Sequence, residues 1–217
     1  MIVTFHLILI LVLASPNTGH FVGKEIRLGS RGDSYYEYLL KQYLQTEKSE
    51  PMFWEMYQEA MKGVLDHLVV ETKHQKYVFV GELLHGKDST AIHPKMDHLV
   101  CFLAGNLVLG ATQGKKLAHS SLGEDAKAQL QLGLDLCRTC YEMYNQTATG
   151  LAPEIVYFHQ PDEDKKNDDD MFIQSLDRHN LLRPETVESL FIIYQITGDK
   201  KYREWGWVSK VNILKKL

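Results

Sequence analysis

Glu185 and Glu188 stand in the run Leu181-Leu182-Arg183-Pro184-Glu185-Thr186-Val187-Glu188-Ser189. A proline at that place suits the opening of a helix, so both carboxylates fall in a first turn with Arg183 just before it. Far upstream, Ser30-Arg31-Gly32-Asp33-Ser34-Tyr35-Tyr36-Glu37-Tyr38 sets another arginine and another acid at another helix start. Separated carboxylates beside arginines are what cleavage of a glycosidic bond needs. One carboxyl protonates the leaving oxygen, and another activates water or attacks the sugar.

Each of these residues also has an ordinary structural use. Asp33 and Asp97 are good N-caps. Glu185 and Glu188 in a first turn are favoured by the helix dipole without any chemistry. His98 suits a structural role in a first turn. Arg31 and Arg183 can simply pair with the acids.

The elements that must position these residues are mostly helical. Ser34 to Gln45 reads as a helix capped by Asp33. Phe53, Tyr57, Ala60, Val64 and Leu68 repeat at helical spacing and define a second, with Pro51 near its first turn. Tyr77-Val78-Phe79-Val80-Gly81-Glu82 predicts a small hairpin. Asp97 caps a helix through His98-Leu99-Val100-Cys101-Phe102-Leu103, with Gly110 near its end. A longer helix runs from about Leu122 to Tyr144, and Leu151-Ala152-Pro153-Glu154-Ile155 begins a loop or short extended piece. The acidic stretch Asp162 to Asp170 reads as a solvated loop. Glu185 to Thr197 is a helix ended by Gly198-Asp199, and Lys200 to about Leu214 is the last. The fold class is therefore all-α. If alternate helices run parallel around a toroid, Asp33, His98 and Glu185 gather at one end. Helix N-termini there would offer N–H groups to sugar oxygens.

Composition narrows the classes. The 217 residues are 44% hydrophobic and 24% charged, an ordinary globular balance. A net charge of -4 gives no electrostatic reason to expect nucleic acid. Met1 to Ala14 is almost wholly apolar and precedes small residues, as in a secretory signal, although the basic n-region is missing. A buried apolar helix and an extraneous N-terminus remain alternatives. The run is short for a membrane span, so membrane association would come only through a leader or anchor. Cys101, Cys137 and Cys140 allow one bridge with a thiol left over in an oxidising lumen, or three free thiols otherwise. Asn145-Gln146-Thr147 is a glycosylation sequon.

Five blocks together carry a resemblance. Gly29-Ser30-Arg31-Gly32-Asp33-Ser34-Tyr35-Tyr36-Glu37-Tyr38-Leu39-Leu40-Lys41 resembles a signature of the class I α-1,2-mannosidases, glycoside hydrolase family 47. Met96-Asp97-His98-Leu99-Val100-Cys101-Phe102, Gly150-Leu151-Ala152-Pro153-Glu154, Arg183-Pro184-Glu185-Thr186-Val187-Glu188-Ser189 and Tyr202-Arg203-Glu204-Trp205-Gly206-Trp207 are similar to further blocks in family order. The endoplasmic-reticulum type is the nearest in character. The resemblance implies part of an (α/α)7 barrel with small β-hairpin insertions. It implies calcium-dependent, inverting removal of α-1,2-linked mannose from high-mannose N-glycans in the endoplasmic reticulum or Golgi lumen. It implies catalytic roles for Asp33, Glu154 and Glu185, with Glu185 as base and Glu154 as a proton donor. Arg31, His98, Arg183 and Glu188 would line the substrate and metal pocket, and Cys101 would bridge Cys140, leaving Cys137 spare.

Residues 1-15 are then a leader or extraneous segment, 16-207 the C-terminal half of the catalytic barrel, and 208-217 a divergent tail. The family's catalytic acid and its calcium-binding Thr are expected outside this chain. A glycan-binding remnant and a non-functional truncated product are the alternatives to an enzyme.

Overall fold

The computed structural model describes residues 11–86, 91–160 and 169–214. The chain opens with strands β1 (Leu11–Ala14) and β2 (Phe21–Ile26), an antiparallel hairpin. Residues 1–10 of the apolar leader lie outside the described residues. Leu11–Ala14 is strand rather than the buried helix held open above, because Ser15 and His20 close a turn behind it: Ser15 N–H donates to the His20 carbonyl.

Helices α1 (Asp33–Gln45) and α2 (Pro51–His67) follow, then the antiparallel hairpin of β3 (Val69–Glu71) and β4 (Val78–Val80). Strand β5 (Lys95–Asp97) leads into a 3-10 turn, His98–Cys101, and directly into α3 (Phe102–Thr112). Helix α4 (Glu124–Asn145) is followed by β6 (Ile155–Phe158) and β7 (Met171–Phe172), and the chain ends with α5 (Glu185–Thr197) and α6 (Lys200–Leu214). Strands β5, β6 and β7 form one antiparallel sheet in that order. Helices dominate, and the sheets are small insertions between them.

Helix α3 is the hub. It packs against α1, α4 and α5, and Leu103, Ala104 and Val108 are fully buried. Such all-round apolarity is what a helix enclosed by neighbours requires. Close approach is needed at Gly105, where an added Cβ would lie 2.9 Å from the Ser189 Cα on α5. The Ser189 hydroxyl also ties the two helices: it accepts from Gly105 N–H at 2.8 Å and donates to the Cys101 carbonyl at 2.6 Å. A Cys101–Cys140 disulfide joins the 3-10 turn to α4 across a sequence separation of 39, and Cys137 stays a buried free thiol. The bridge implied by the resemblance is therefore present.

Three local expectations change. Gly32, not Asp33, is the N-cap of α1, and Asp33 is its first residue. Asp97 precedes the 3-10 turn but makes no side-chain cap, because its carboxylate is used elsewhere. The acidic run expected to be a solvated loop falls largely on residues 161–168, outside the described residues. Its last member, Asp170, is 2% exposed. Its Oδ2 accepts from the Thr72 hydroxyl (2.6 Å) and the His74 N–H (2.9 Å), so it closes the turn between β3 and β4. A buried carboxylate with that many donors is satisfied without solvent.

Candidate active site

Glu185 opens α5, and its Oε2 lies 3.4 Å from His98 Nδ1, with the side chains 16% and 1% exposed. The 3-10 turn supplies His98 and α5 supplies Glu185, so two of the three expected helix starts do meet. The other imidazole nitrogen, Nε2, sits 2.8 Å from the Tyr144 hydroxyl and 3.2 Å from the Thr186 hydroxyl. Burial pushes the Tyr144 phenol up to about 12, against a hydrogen bond from Thr186 and with help from the charges of Glu185 and Glu154. The phenol is thus an O–H donor at neutral pH. The opposite ring nitrogen, Nδ1, faces Glu185 Oε2, and neither of these two buried atoms makes a hydrogen bond among the described residues. Tyr144 and Thr186 were not singled out from the sequence. Thr186 stood inside the Arg183–Ser189 block, but nothing marked Tyr144, the penultimate residue of a helix.

Glu154 is joined to the same group through the backbone, since His98 N–H donates to the Glu154 carbonyl at 2.8 Å. Its own side chain is 9–10% exposed. Oε1 accepts from Leu181 N–H at 3.1 Å, and Oε2 accepts from Arg183 Nε. Both carboxylate oxygens are occupied, and the arginine is the partner that they hold. Glu188, one turn along α5 from Glu185, accepts from Lys41 at 2.7 Å, and Lys41 also bonds Glu37 on α1. Burial opposes the charge on Lys41, but its two carboxylate partners outweigh it and hold the ammonium above its ordinary range.

Asp33 and Arg31 stand differently. Asp33 is partly exposed, and its Oδ1 accepts from the N–H of Ser34 at 2.7 Å and from the Ser34 hydroxyl at 3.3 Å. Arg31 is exposed, with φ at +77°, a backbone conformation rare for a residue with a side chain. What carries this loop to the site is Asp97. Its Oδ2 accepts from Ser30 N–H at 3.0 Å, and an added Cβ on Gly29 would lie 2.3 Å from that oxygen. Asp97 directly precedes His98, so Gly29 and Ser30, just before Arg31 and Asp33, are held at the residue next to the imidazole. Lys95 Nζ lies 3.0 Å from Asp97 Oδ1 and 3.2 Å from Glu82 Oε1. Burial raises the Glu82 carboxyl, with Lys95 opposing. Glu82 and Lys95 form the supporting layer, and the sequence reading assigned neither of them a role.

The structure brings His98 and Glu185 into side-chain contact and joins Glu154 and Arg183 to them through the His98–Glu154 backbone bond, while Arg31 and Asp33 stand at the start of α1 without a side-chain contact to this group. Calcium takes six to eight oxygens. Among the described residues, no group of three or more His, Cys, Asp or Glu is placed to hold a metal ion. Glu185 and Glu188 do not make such a cage by themselves. A cavity of about 700 Å³ lies apart, lined by Met143, Thr147, Leu151, Met171, Phe172 and Arg178 among others, and includes none of these acids.

Helices α1, α4 and α5 pack around α3, and acids and arginines stand at the starts of α1 and α5. The model of glycosyl hydrolase family 47 matches residues 7–217, and the chain belongs to that family. It is 51% identical over 215 residues to a mannosyl-oligosaccharide 1,2-alpha-mannosidase of Candida albicans, covering 95% of this chain and 37% of that protein. It is 49% identical over 180 residues to the human endoplasmic reticulum mannosyl-oligosaccharide 1,2-alpha-mannosidase, covering 83% of this chain and 24% of that one. The fold superposes on an alpha-1,2-mannosidase from Trichoderma reesei with a TM-score of 0.77 at 22% identity, over 92% of this chain and 40% of that one. The fold is thus part of an (α/α)7 barrel, and the chain spans well under half the length of these relatives.

Proposed function

We propose that this chain forms one side of the active site of an inverting α-1,2-mannosidase acting on high-mannose N-glycans in the endoplasmic reticulum or Golgi lumen. The observation that carries the reading is the buried His98–Glu185 contact, with Tyr144 and Thr186 fixing the ring behind it. A carboxylate packed against a fixed imidazole at a helix start is a suitable general base for water. Glu185 takes that role. The other acid of an inverting pair must stand across the sugar, leaving room for water between them, and we assign it to barrel segments outside this chain. Asp33 lines the same end through the loop pinned by Asp97.

Glu154 is better suited to positioning than to proton donation. Its two oxygens already accept from Leu181 and Arg183, so it aims the guanidinium at the sugar. Arg31, Arg183 and Glu188 take the substrate hydroxyls. The family's calcium belongs, in this reading, to the complete barrel, with ligands beyond the described residues. The chain alone therefore releases no mannose. Proton NMR of the first sugar formed by a complete barrel carrying these residues is the test. Initial β-mannose supports inversion, and initial α-mannose overturns it.

A further inference from the structure

Asn145-Gln146-Thr147 has the Asn-x-Thr pattern with no proline between. Asn145 is the last residue of α4 and is exposed. Its Nδ2 donates to Glu142 Oε2 at 3.1 Å, an exposed bond one turn back. Such a bond exchanges for water at small cost, so the folded surface accommodates a sugar on this nitrogen.

The residues after it are bound more firmly. The one proton of the Thr147 hydroxyl faces two acceptors, the Leu151 carbonyl at 2.9 Å and the Tyr144 carbonyl at 3.0 Å. Gln146 Nε2 donates to the Tyr77 hydroxyl at 2.7 Å. The acceptor pattern demands a hydroxyl two residues after the asparagine, so that hydroxyl must be read by the transferase. In the folded chain its single proton is already engaged by these carbonyls. We propose that Asn145 is N-glycosylated, and that transfer precedes the locking of the C-terminal end of α4.

This rests on the reading that the chain enters the secretory lumen. The reaction needs a lipid-pyrophosphate-linked oligosaccharide as donor. The Asn145 amide nitrogen forms a bond to C1 of the first sugar and gives up one proton. The C1–oxygen bond to the pyrophosphate breaks, and the lipid pyrophosphate leaves with the bonding pair.

The timing has a structural handle. Cys140 lies five residues before Asn145 on the same helix, and its bridge to Cys101 fixes α4 against the turn before α3. Closing that bridge helps to form the helix end whose carbonyls engage the Thr147 hydroxyl. Bridge formation and sugar transfer therefore compete, and a chain that cannot form the bridge should be modified more completely.

The experiment expresses the full chain behind a proven cleavable secretion signal in a eukaryotic host, with a known acceptor sequon on an unstructured C-terminal tail. Only molecules carrying the tail glycan are scored, so entry into the lumen is assured. Peptide-N-glycosidase treatment and mass spectrometry then read Asn145 as Asp wherever it carried sugar. The expected result is sugar at Asn145, its loss in Asn145→Gln and Thr147→Ala with the tail glycan intact, and a higher occupied fraction in Cys140→Ser. An unmodified Asn145 on tail-glycosylated chains overturns the site. An occupied fraction unchanged in Cys140→Ser overturns the timing. A parallel arm without the added signal asks separately whether the chain's own N-terminus directs entry: absence of tail glycan there counts against the lumenal reading and leaves the Asn145 result standing.

Discussion

Removing the Cys101–Cys140 bridge is the perturbation whose size follows most directly from the fold. The bridge closes a loop with a sequence separation of 39. In the chain-entropy model that loop removes about 13 cal/mol/K from the unfolded ensemble, or roughly 4 kcal/mol near 25 °C. Both cysteines are fully buried, so a Cys101→Ala, Cys140→Ala pair avoids placing new hydroxyls in the core. The bridge ties the turn carrying His98 to the helix carrying Tyr144, which is why its loss should also loosen the imidazole. The assay is urea unfolding followed by circular dichroism, comparing the wild-type chain, the reduced chain and the double variant. The expected outcome is a midpoint lowered to match a loss of roughly 4 kcal/mol, with a steeper denaturant dependence because the uncrosslinked unfolded chain exposes more surface. An unchanged midpoint after reduction, with both thiols confirmed free, would refute the reasoning.

Two further outcomes follow from the packing and the buried phenol. Gly105→Ala must push a methyl to within 2.9 Å of the Ser189 Cα, and overpacking of that kind costs about 1–3 kcal/mol; a thermal melt equal to wild type would show that α3 and α5 can separate without penalty. Tyr144 has a folded pKa raised to about 12 by burial, above its ordinary 10.0, so its contribution to stability is whole below about pH 10 and is lost as pH rises through about 12. Tyr144→Phe should therefore lose less stability than wild type over that alkaline window, and identical alkaline unfolding profiles would remove Tyr144 from the buried group.

The helices were legible because their signals are local. Pro51, the apolar period through Val64 and the stop at Gly198 each lie within a turn or two of what they determine. The β5–β6–β7 sheet was not legible, since its strands are two to four residues long and pair across sequence distances that no period reveals. Charges misled for the same reason. Asp170 looked like one more solvated acid, yet its partner Thr72 is 98 residues away. Asp97 looked like a helix cap, and its task is to hold Ser30, 67 residues earlier. The site residues themselves were found through the family resemblance, and their roles are still proposals. The sequence could not indicate that Glu154 has both oxygens taken, or that Tyr144 and Thr186 stand behind His98. The first arises when the loop before α5 folds onto Glu154, and the second when α4, α5 and the 3-10 turn meet.

In the proposed function Glu185 supplies the base of a mannosidase site that this chain completes only together with the rest of a barrel. The most direct test places residues 16–214 of this chain in the corresponding stretch of the Candida albicans relative, to which it is 51% identical, and measures mannose release from a high-mannose glycan in the presence of calcium. The account predicts release by the chimera, a drop of at least about 100-fold in its Glu185→Gln variant, the lower range for one acid–base group, and none from the isolated chain. Near-normal release by a folded Glu185→Gln chimera, or release by the isolated chain that survives the same substitution, would contradict it.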